Sequence, residues 1–215
     1  MSDAPSGLPL RLPPHAPGMR IGLYGGSFNP PHSGHRHVAV TALRRLGLDR
    51  VWWIVTPGNP LKDRSRLASR TERLAATAAV ANHPRMAVSD ADWQIGSHFT
   101  IDTVRAFRAR CPAVRLVWIM GADSLATFHR WQDWRAIAAL VPIAVVDRPG
   151  WTLRALRSPA AVALAGSRLA PGGEARLADA GAPAWAFLEA PRADISSTAL
   201  RGREETVREV VLKTL

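Results

Sequence analysis

The chain has 215 residues, 47% hydrophobic and 21% charged, which suits one globular domain with a substantial buried core. No apolar run approaches the roughly 18 residues of a membrane span, and a single cysteine, Cys111, excludes an internal disulfide and a thiolate metal cluster, so a cytoplasmic location is the simplest expectation. The net charge of +11 is almost wholly arginine, Lys62 and Lys213 being the only lysines, and it fits an enzyme for anionic substrates, a nucleic-acid-binding module or biased codon usage.

Because the arginines are spread from Arg11 to Arg208 rather than gathered in one run, the nucleic-acid alternative is the weaker one. Residues 1–18 carry prolines at positions 5, 9, 13, 14 and 17, with neither a basic start nor a continuous apolar stretch. They are expected to form a disordered tail outside the fold, followed by one domain over 19–215. Met19, directly before the first apolar run, is a position from which translation could equally begin.

Strand-like runs then alternate with helical spacing. Apolar, β-branched runs cover 21–24, 51–56, 86–89, 114–120, 141–146 and 185–188, and helical patterns cover 34–46, 69–82, 100–110 and 134–140. The alternation predicts parallel strands with crossover helices, and the near absence of polar positions in Val51–Val55 or Leu116–Met120 predicts strands buried on both faces. The fold class expected is therefore α/β, a doubly wound, Rossmann-like parallel sheet flanked by helices. Ligands of such sheets gather beyond the carboxyl ends of the strands. Three segments qualify: 25–35, 57–62 and 121–124. The Ala-, Gly- and Pro-rich stretch 165–183 is expected to be a long surface loop with at most one short helix.

Residues 25–35 read GGSFNPPHSGH. Gly25 and Gly26 allow unusual backbone angles and close approach of a ligand, Pro30 and Pro31 stiffen the exit, and Ser33 and Gly34 stand where a helix can start. The amino end of a helix favours an anion such as phosphate. His32 and His35, three apart, can both donate to phosphate oxygens; taken singly, each also suits a cap or a surface position. Far along the chain, Ile195, Ser196, Ser197 and Thr198 precede another helical run, with Arg201 one turn on. Hydroxyls, free N–H groups and a forked guanidinium there suit a second phosphate contact, and a simple helix cap with a solvated arginine is the alternative.

His32-Ser33-Gly34-His35 with Ile195-Ser196-Ser197-Thr198-Ala199-Leu200-Arg201 resembles the paired HxGH and ISSTxxR motifs of the nucleotidyltransferase superfamily. Gly121-Ala122-Asp123-Ser124-Leu125 followed by Phe128, Trp131 and Trp134, Asp147-Arg148-Pro149-Gly150, and Phe99-Thr100-Ile101-Asp102-Thr103-Val104 resemble segments of bacterial nicotinate-nucleotide adenylyltransferases. The resemblance runs from about Arg20 to the C-terminus. It implies transfer of the adenylyl group of ATP to nicotinate mononucleotide, giving deamido-NAD and pyrophosphate in NAD biosynthesis, with Mg2+ arriving with ATP and no nucleic-acid or membrane partner.

By the same resemblance, His32, His35, Lys62 and Arg201 are the catalytic contacts to the triphosphate. Gly25, Gly26, Ser27, Phe28, Gly34, Gly121, Ile195, Ser196, Ser197 and Thr198 would surround ATP. Trp131 would stack on the pyridine ring, backbone amides around Thr100, Ile101 and Gln132 would meet its carboxylate, and Asp123 would accept from a ribose hydroxyl. Core packing for Trp131 and a helix cap for Asp123 are the alternatives. Asn29 and Phe99 stand where many members have aspartate and tyrosine, which leaves nicotinamide mononucleotide open as the acceptor. Pantetheine-phosphate adenylyltransferase and a cytidylyltransferase are the other enzymes with this chemistry.

Overall fold

The computed structural model describes residues 10–58 and 67–189. Six strands, β1 Arg20–Gly26, β2 Arg50–Val55, β3 Met86–Ser89, β4 Arg115–Gly121, β5 Ile143–Val146 and β6 Trp185–Leu188, form one sheet in the order β3-β2-β1-β4-β5-β6. Every neighbouring pair is parallel. The sheet is doubly wound, as the strand and helix alternation predicts. β1 and β4 are neighbours although two strands separate them in the chain, so strand order reverses between them. Ligand crevices form at that reversal because the connections leave in opposite directions.

Alternate residues of each strand feed two separate cores, and this is why the strands lack a polar face. Ile21, Leu23, Trp52, Ile54, Leu116 and Trp118 enter one; Tyr24, Val51, Trp53, Val55, Val117 and Ile119 enter the other. The first core is closed by Ile101, Val104 and Phe107 of a helix over Thr100–Arg110 and by Ile137 of one over Trp134–Leu140. Val38, Ala39, Ala42 and Leu43 of the helix Ser33–Arg45, hereafter α1, cover the second. Trp52, Trp53 and Trp118 are fully buried. Truncating side chains of this size to alanine costs about 3–5 kcal/mol each.

One expectation is corrected and a second is refined. The Pro-rich segment does not stand off the fold from residue 10 onward: Leu10 and Leu12 pack on the first core, His15 lies edge-on to Trp52 with ring centroids 5.5 Å apart, and Gly18 N–H bonds the Ala113 carbonyl at 2.7 Å. Proline here shapes an extended strap with apolar side chains to bury. Residues 165–183 are largely exposed, as expected of a surface loop, but part of the stretch is anchored in the core. They contain a 3₁₀ turn over Glu174–Asp179 whose Leu177 and Ala178 are buried in the second core. Asp179 reaches both Arg20 and Arg115 at 2.7 Å, holding the turn against the starts of β1 and β4. Small residues hide this packing because only Leu169 and Leu177 stand out in the pattern.

Leu177→Ala is therefore expected to lower stability by about 2–5 kcal/mol, the cost of a cavity in a packed core. A shift in the denaturant midpoint checks it, since a residue of an exposed loop would move stability by no more than about 0.5 kcal/mol.

Candidate active site

A cavity of about 390 Å³ opens at the strand-order reversal. Its floor is the carboxyl ends of β1 and β4: Tyr24, Gly25, Gly26, Trp118, Met120 and Gly121. The register shows why glycine stands there. Gly25 and Gly26 are still in the sheet, paired with Ile54 and Val55, rather than leaving it as the sequence suggests. A Cβ on Gly25 would lie 2.7 Å from the Trp118 ring, so the glycine makes room rather than a turn. The chain leaves the sheet just beyond them, and Phe28 takes the left-handed region with φ of 43°. Its ring is buried against Tyr24, Trp53 and His35, and this packing holds the uncommon backbone angle.

α1 starts at Ser33, and His32 caps it. Gly34 N–H donates to Nδ1 of His32 at 3.1 Å, and the main-chain N–H of His32 donates to Nδ1 of His35 at 3.2 Å. The two ring centroids lie 3.8 Å apart. With both Nδ1 atoms accepting, each neutral imidazole carries its proton on Nε2. Nε2 of His32 is buried and has no hydrogen-bond partner among the described residues, an arrangement that costs about 1–3 kcal/mol until an acceptor arrives. Burial, and secondarily the Arg148 guanidinium, lower the pKa of His32 from its ordinary 6.5 to about 4, against a smaller opposing effect of Asp123. The ring is neutral at pH 7. His35 lines the cavity and His32 stands behind it.

The opposite wall comes from three further segments. Asp123 lies in a short helix over Ala122–Leu125 that directly follows β4, and Arg148 follows β5; their Oδ2 and Nη1 atoms are 3.3 Å apart. Asp123 does not cap that helix, so the capping alternative falls. A Cβ on Gly121 would run into both the Asp123 carboxylate and Arg148. Trp131 is half-buried, edge-on to Phe128 at 5.3 Å, and shares the wall with Arg130 and Gln132. Phe99 and Thr100 supply the rest at the start of the Thr100–Arg110 helix, where the N–H groups of Thr100 and Ile101 have no intrahelical partner.

Two side chains hold the loops behind these walls. Arg73, only 4% exposed, donates to the carbonyls of Ala68 at 3.0 Å, Ser27 at 2.9 Å and Thr56 at 2.7 Å, tying the segments after β1 and β2 together. Nothing in the sequence pattern distinguishes it from the other arginines. Asn29 accepts a hydrogen bond from Ala68 N–H at 3.1 Å. An amide oxygen does this as well as a carboxylate, which accounts for asparagine at that position.

Of the residues singled out from sequence, Gly25, Gly26, Ser27, Phe28, His35, Thr100, Gly121, Asp123, Trp131 and Gln132 line the cavity. Gly34 is buried beneath it with its N–H spent on His32. Ile101 is wholly buried in the first core and does not line the cavity. Lys62, Ile195, Ser196, Ser197, Thr198 and Arg201 lie outside the described residues. Tyr24, Asp92, His98, Trp118 and Arg130 line the cavity without belonging to any motif that marks them.

A cytidylyltransferase-like family model matches residues 23–203. A Methylorubrum extorquens protein described as a probable nicotinate-nucleotide adenylyltransferase is 58% identical over 185 residues, 86% of this chain and 100% of that one. One from Rhizobium meliloti, described likewise, is 56% identical over 183 residues, 85% and 97% of the two chains. The chain belongs to the nicotinate-nucleotide adenylyltransferase family. Among solved structures, Plasmodium falciparum nicotinic acid mononucleotide adenylyltransferase complexed with NaAD superposes with a TM-score of 0.62, covering 86% of this chain and 83% of that one at 15% identity. At that identity the likeness bears on the fold alone. No helix among the described residues is long and apolar enough to cross a membrane.

The depressed pKa of His32 makes stability depend on pH in a definite direction. The unfolded chain takes up this proton near 6.5 and the folded chain only near 4. Between those values the unfolded state binds more protons, so stability falls as pH drops through that window and is unaffected by His32 above it. In His32→Asn, whose Oδ1 can still cap α1, this component is expected to vanish. Chemical denaturation of both proteins at pH 7 and pH 5 measures it.

Proposed function

We propose that the chain transfers the adenylyl group of ATP to nicotinate mononucleotide, releasing pyrophosphate and forming the nicotinate adenine dinucleotide. The observation that supports this most directly is the pair of imidazoles whose Nδ1 atoms both accept main-chain N–H bonds beside a cavity at the strand-order reversal. Identity of 58% to a relative described as acting on the same class of substrate supports the choice of acceptor.

In the reaction an oxygen of the mononucleotide 5′-phosphate forms a bond to the α-phosphorus of ATP while the bond from that phosphorus to the bridging oxygen breaks. The electron pair leaves with pyrophosphate. The attacking phosphate has a second pKa of about 6 and is mostly ionised at neutral pH, so no general base is needed. What the protein must supply is alignment and stabilisation of charge on oxygens around the α-phosphorus.

His35 at the cavity wall and His32 behind it would donate to those oxygens. Gly25, Gly26 and Ser27 let the nucleotide reach the main chain, and Lys62, Ser197, Thr198 and Arg201 are assigned to the triphosphate from their motifs. Mg2+ would arrive with the nucleotide and would offset the charge of its phosphates. No group of three His, Cys, Asp or Glu that could hold a metal ion occurs among the described residues. Trp131 and the first-turn N–H groups of Thr100 and Ile101 are assigned to the pyridine ring and its carboxylate, and the Asp123–Arg148 pair to a ribose hydroxyl.

Pyrophosphate release, measured with ATP and nicotinate mononucleotide, nicotinamide mononucleotide or phosphopantetheine in parallel, tests the assignment; the first is expected to be the best acceptor, and preference for another would replace it. His35→Ala is expected to lower kcat by about 10²–10³, the usual worth of one such donor, with little change in thermal stability. Trp131→Ala should instead raise KM for the mononucleotide and leave KM for ATP nearly unchanged; an equal rise for ATP would move the pyridine site elsewhere.

A further inference from the structure

Asp92 is a carboxylic acid in the wall of the active-site cavity that the reaction as described does not use. It lies in a short helix over Ala91–Ile95, packed against the Thr100–Arg110 helix, and is 4% exposed. One carboxyl oxygen accepts from the Thr103 hydroxyl at 2.6 Å. Thr103 is in the first turn of the neighbouring helix, so Asp92 sits beside the amino end to which the ring carboxylate of the mononucleotide is assigned. Phe99, Thr100, Trp131 and Gln132 complete that part of the wall.

The electrostatic surroundings offer Asp92 little compensation. Thr103 donates to it, but Asp102, on the same turn, adds a like charge; that carboxylate is occupied by Ser97 at 2.7 Å and Arg105 at 3.8 Å. β2, packed on the same short helix, carries no charged side chain from Val51 to Val55. The other titratable or charged groups around the cavity are Tyr24, His35, His98, Asp123, Arg130 and Arg148, with Asp123 and Arg148 already paired. Two carboxylates brought to one helix end cannot both be comfortably ionised.

We propose that Asp92 determines specificity at the mononucleotide site: uncharged, it admits the ring carboxylate of nicotinate mononucleotide at the start of the Thr100–Arg110 helix, and ionised, it repels that carboxylate. The inference rests on the acceptor assigned above. Burial, opposed by the Thr103 hydrogen bond, raises the Asp92 pKa to about 7, so the change of charge falls within the working pH range. A ligand anion raises it further by linkage, and binding is accompanied by proton uptake.

The test is KM for nicotinate mononucleotide from pH 6 to 9, read by pyrophosphate release, for the wild-type chain, Asp92→Asn and Thr103→Val. In the wild type KM should be flat at low pH and climb roughly tenfold per unit above the Asp92 pKa, while KM for ATP does not follow it. Asp92→Asn, which keeps an acceptor for Thr103, should remove the climb. Thr103→Val withdraws the bond that favours the ionised form and should move the climb to higher pH. A flat wild-type profile, the same climb in Asp92→Asn, or an unmoved climb in Thr103→Val overturns the proposal. Should Asp92→Asn fail to fold by circular dichroism, Thr103→Val decides alone. Absence of pyrophosphate release from the wild type would instead defeat the assignment of the acceptor.

Discussion

At the start of α1 two main-chain N–H groups end on imidazole nitrogens, Gly34 on His32 and His32 on His35. As stabilising contacts they are ordinary, each of the order of 1 kcal/mol for a helix cap. Their larger effect is on direction. By taking up both Nδ1 atoms they leave each ring one donor, on the side away from the helix, and they do so before any ligand is present. The geometry survives only if α1 begins at Ser33, which in turn requires the chain to turn at Phe28 and come back over the sheet within five residues. Phe28 in the second core, Arg73 on the Ser27 carbonyl and Asn29 on Ala68 N–H are what hold that path.

Much of this is legible in the sequence because the physical signals are local. Strands buried on both faces show up as unbroken apolar runs, and Met86–Ser89 and Trp185–Leu188 have the bounds read from them. The Thr100–Arg110 and Trp134–Leu140 helices do as well, since each carries an apolar stripe against the first core. The two histidines are legible because their spacing and the glycines around them form a single motif. What fails to show is long-range. Arg73 is one of many arginines until the fold brings the carbonyls of Ser27 and Thr56 to it, 46 and 17 residues away in the chain. Asp92 belongs to no motif, and only the fold brings Thr103 and the cavity to it. Residues 165–183 read correctly as a largely exposed stretch, but small side chains give weak periodicity and hide the anchoring of Leu177 in the second core. Gly25 and Gly26 mark the right position for a different reason: crowding by Trp118, not backbone freedom, excludes a side chain at Gly25.

The distribution of charge bears on how the site could work better than its total. Five of the arginines behind the +11 are paired within the fold: Arg20 and Arg115 with Asp179, Arg70 with Asp90, Arg45 with Glu174, Arg148 with Asp123. The surface pairs among these contribute only about 0–1 kcal/mol each, so they shape the field more than they stabilise the chain, whereas Asp123–Arg148 is half-buried in the cavity wall. Behind the cavity wall the arrangement is different. His32 is neutral at pH 7 and offers an oriented N–H rather than a full charge. An imidazolium would attract the triphosphate strongly in the ground state, where attraction lowers KM without hastening the reaction. A neutral donor fixed in place gains most when negative charge accumulates on the oxygens around phosphorus, and it has nothing to reorganise at that moment. In the proposed reaction, burial of His32, which looks at first like a cost of packing, would thus keep the donor selective for the transition state.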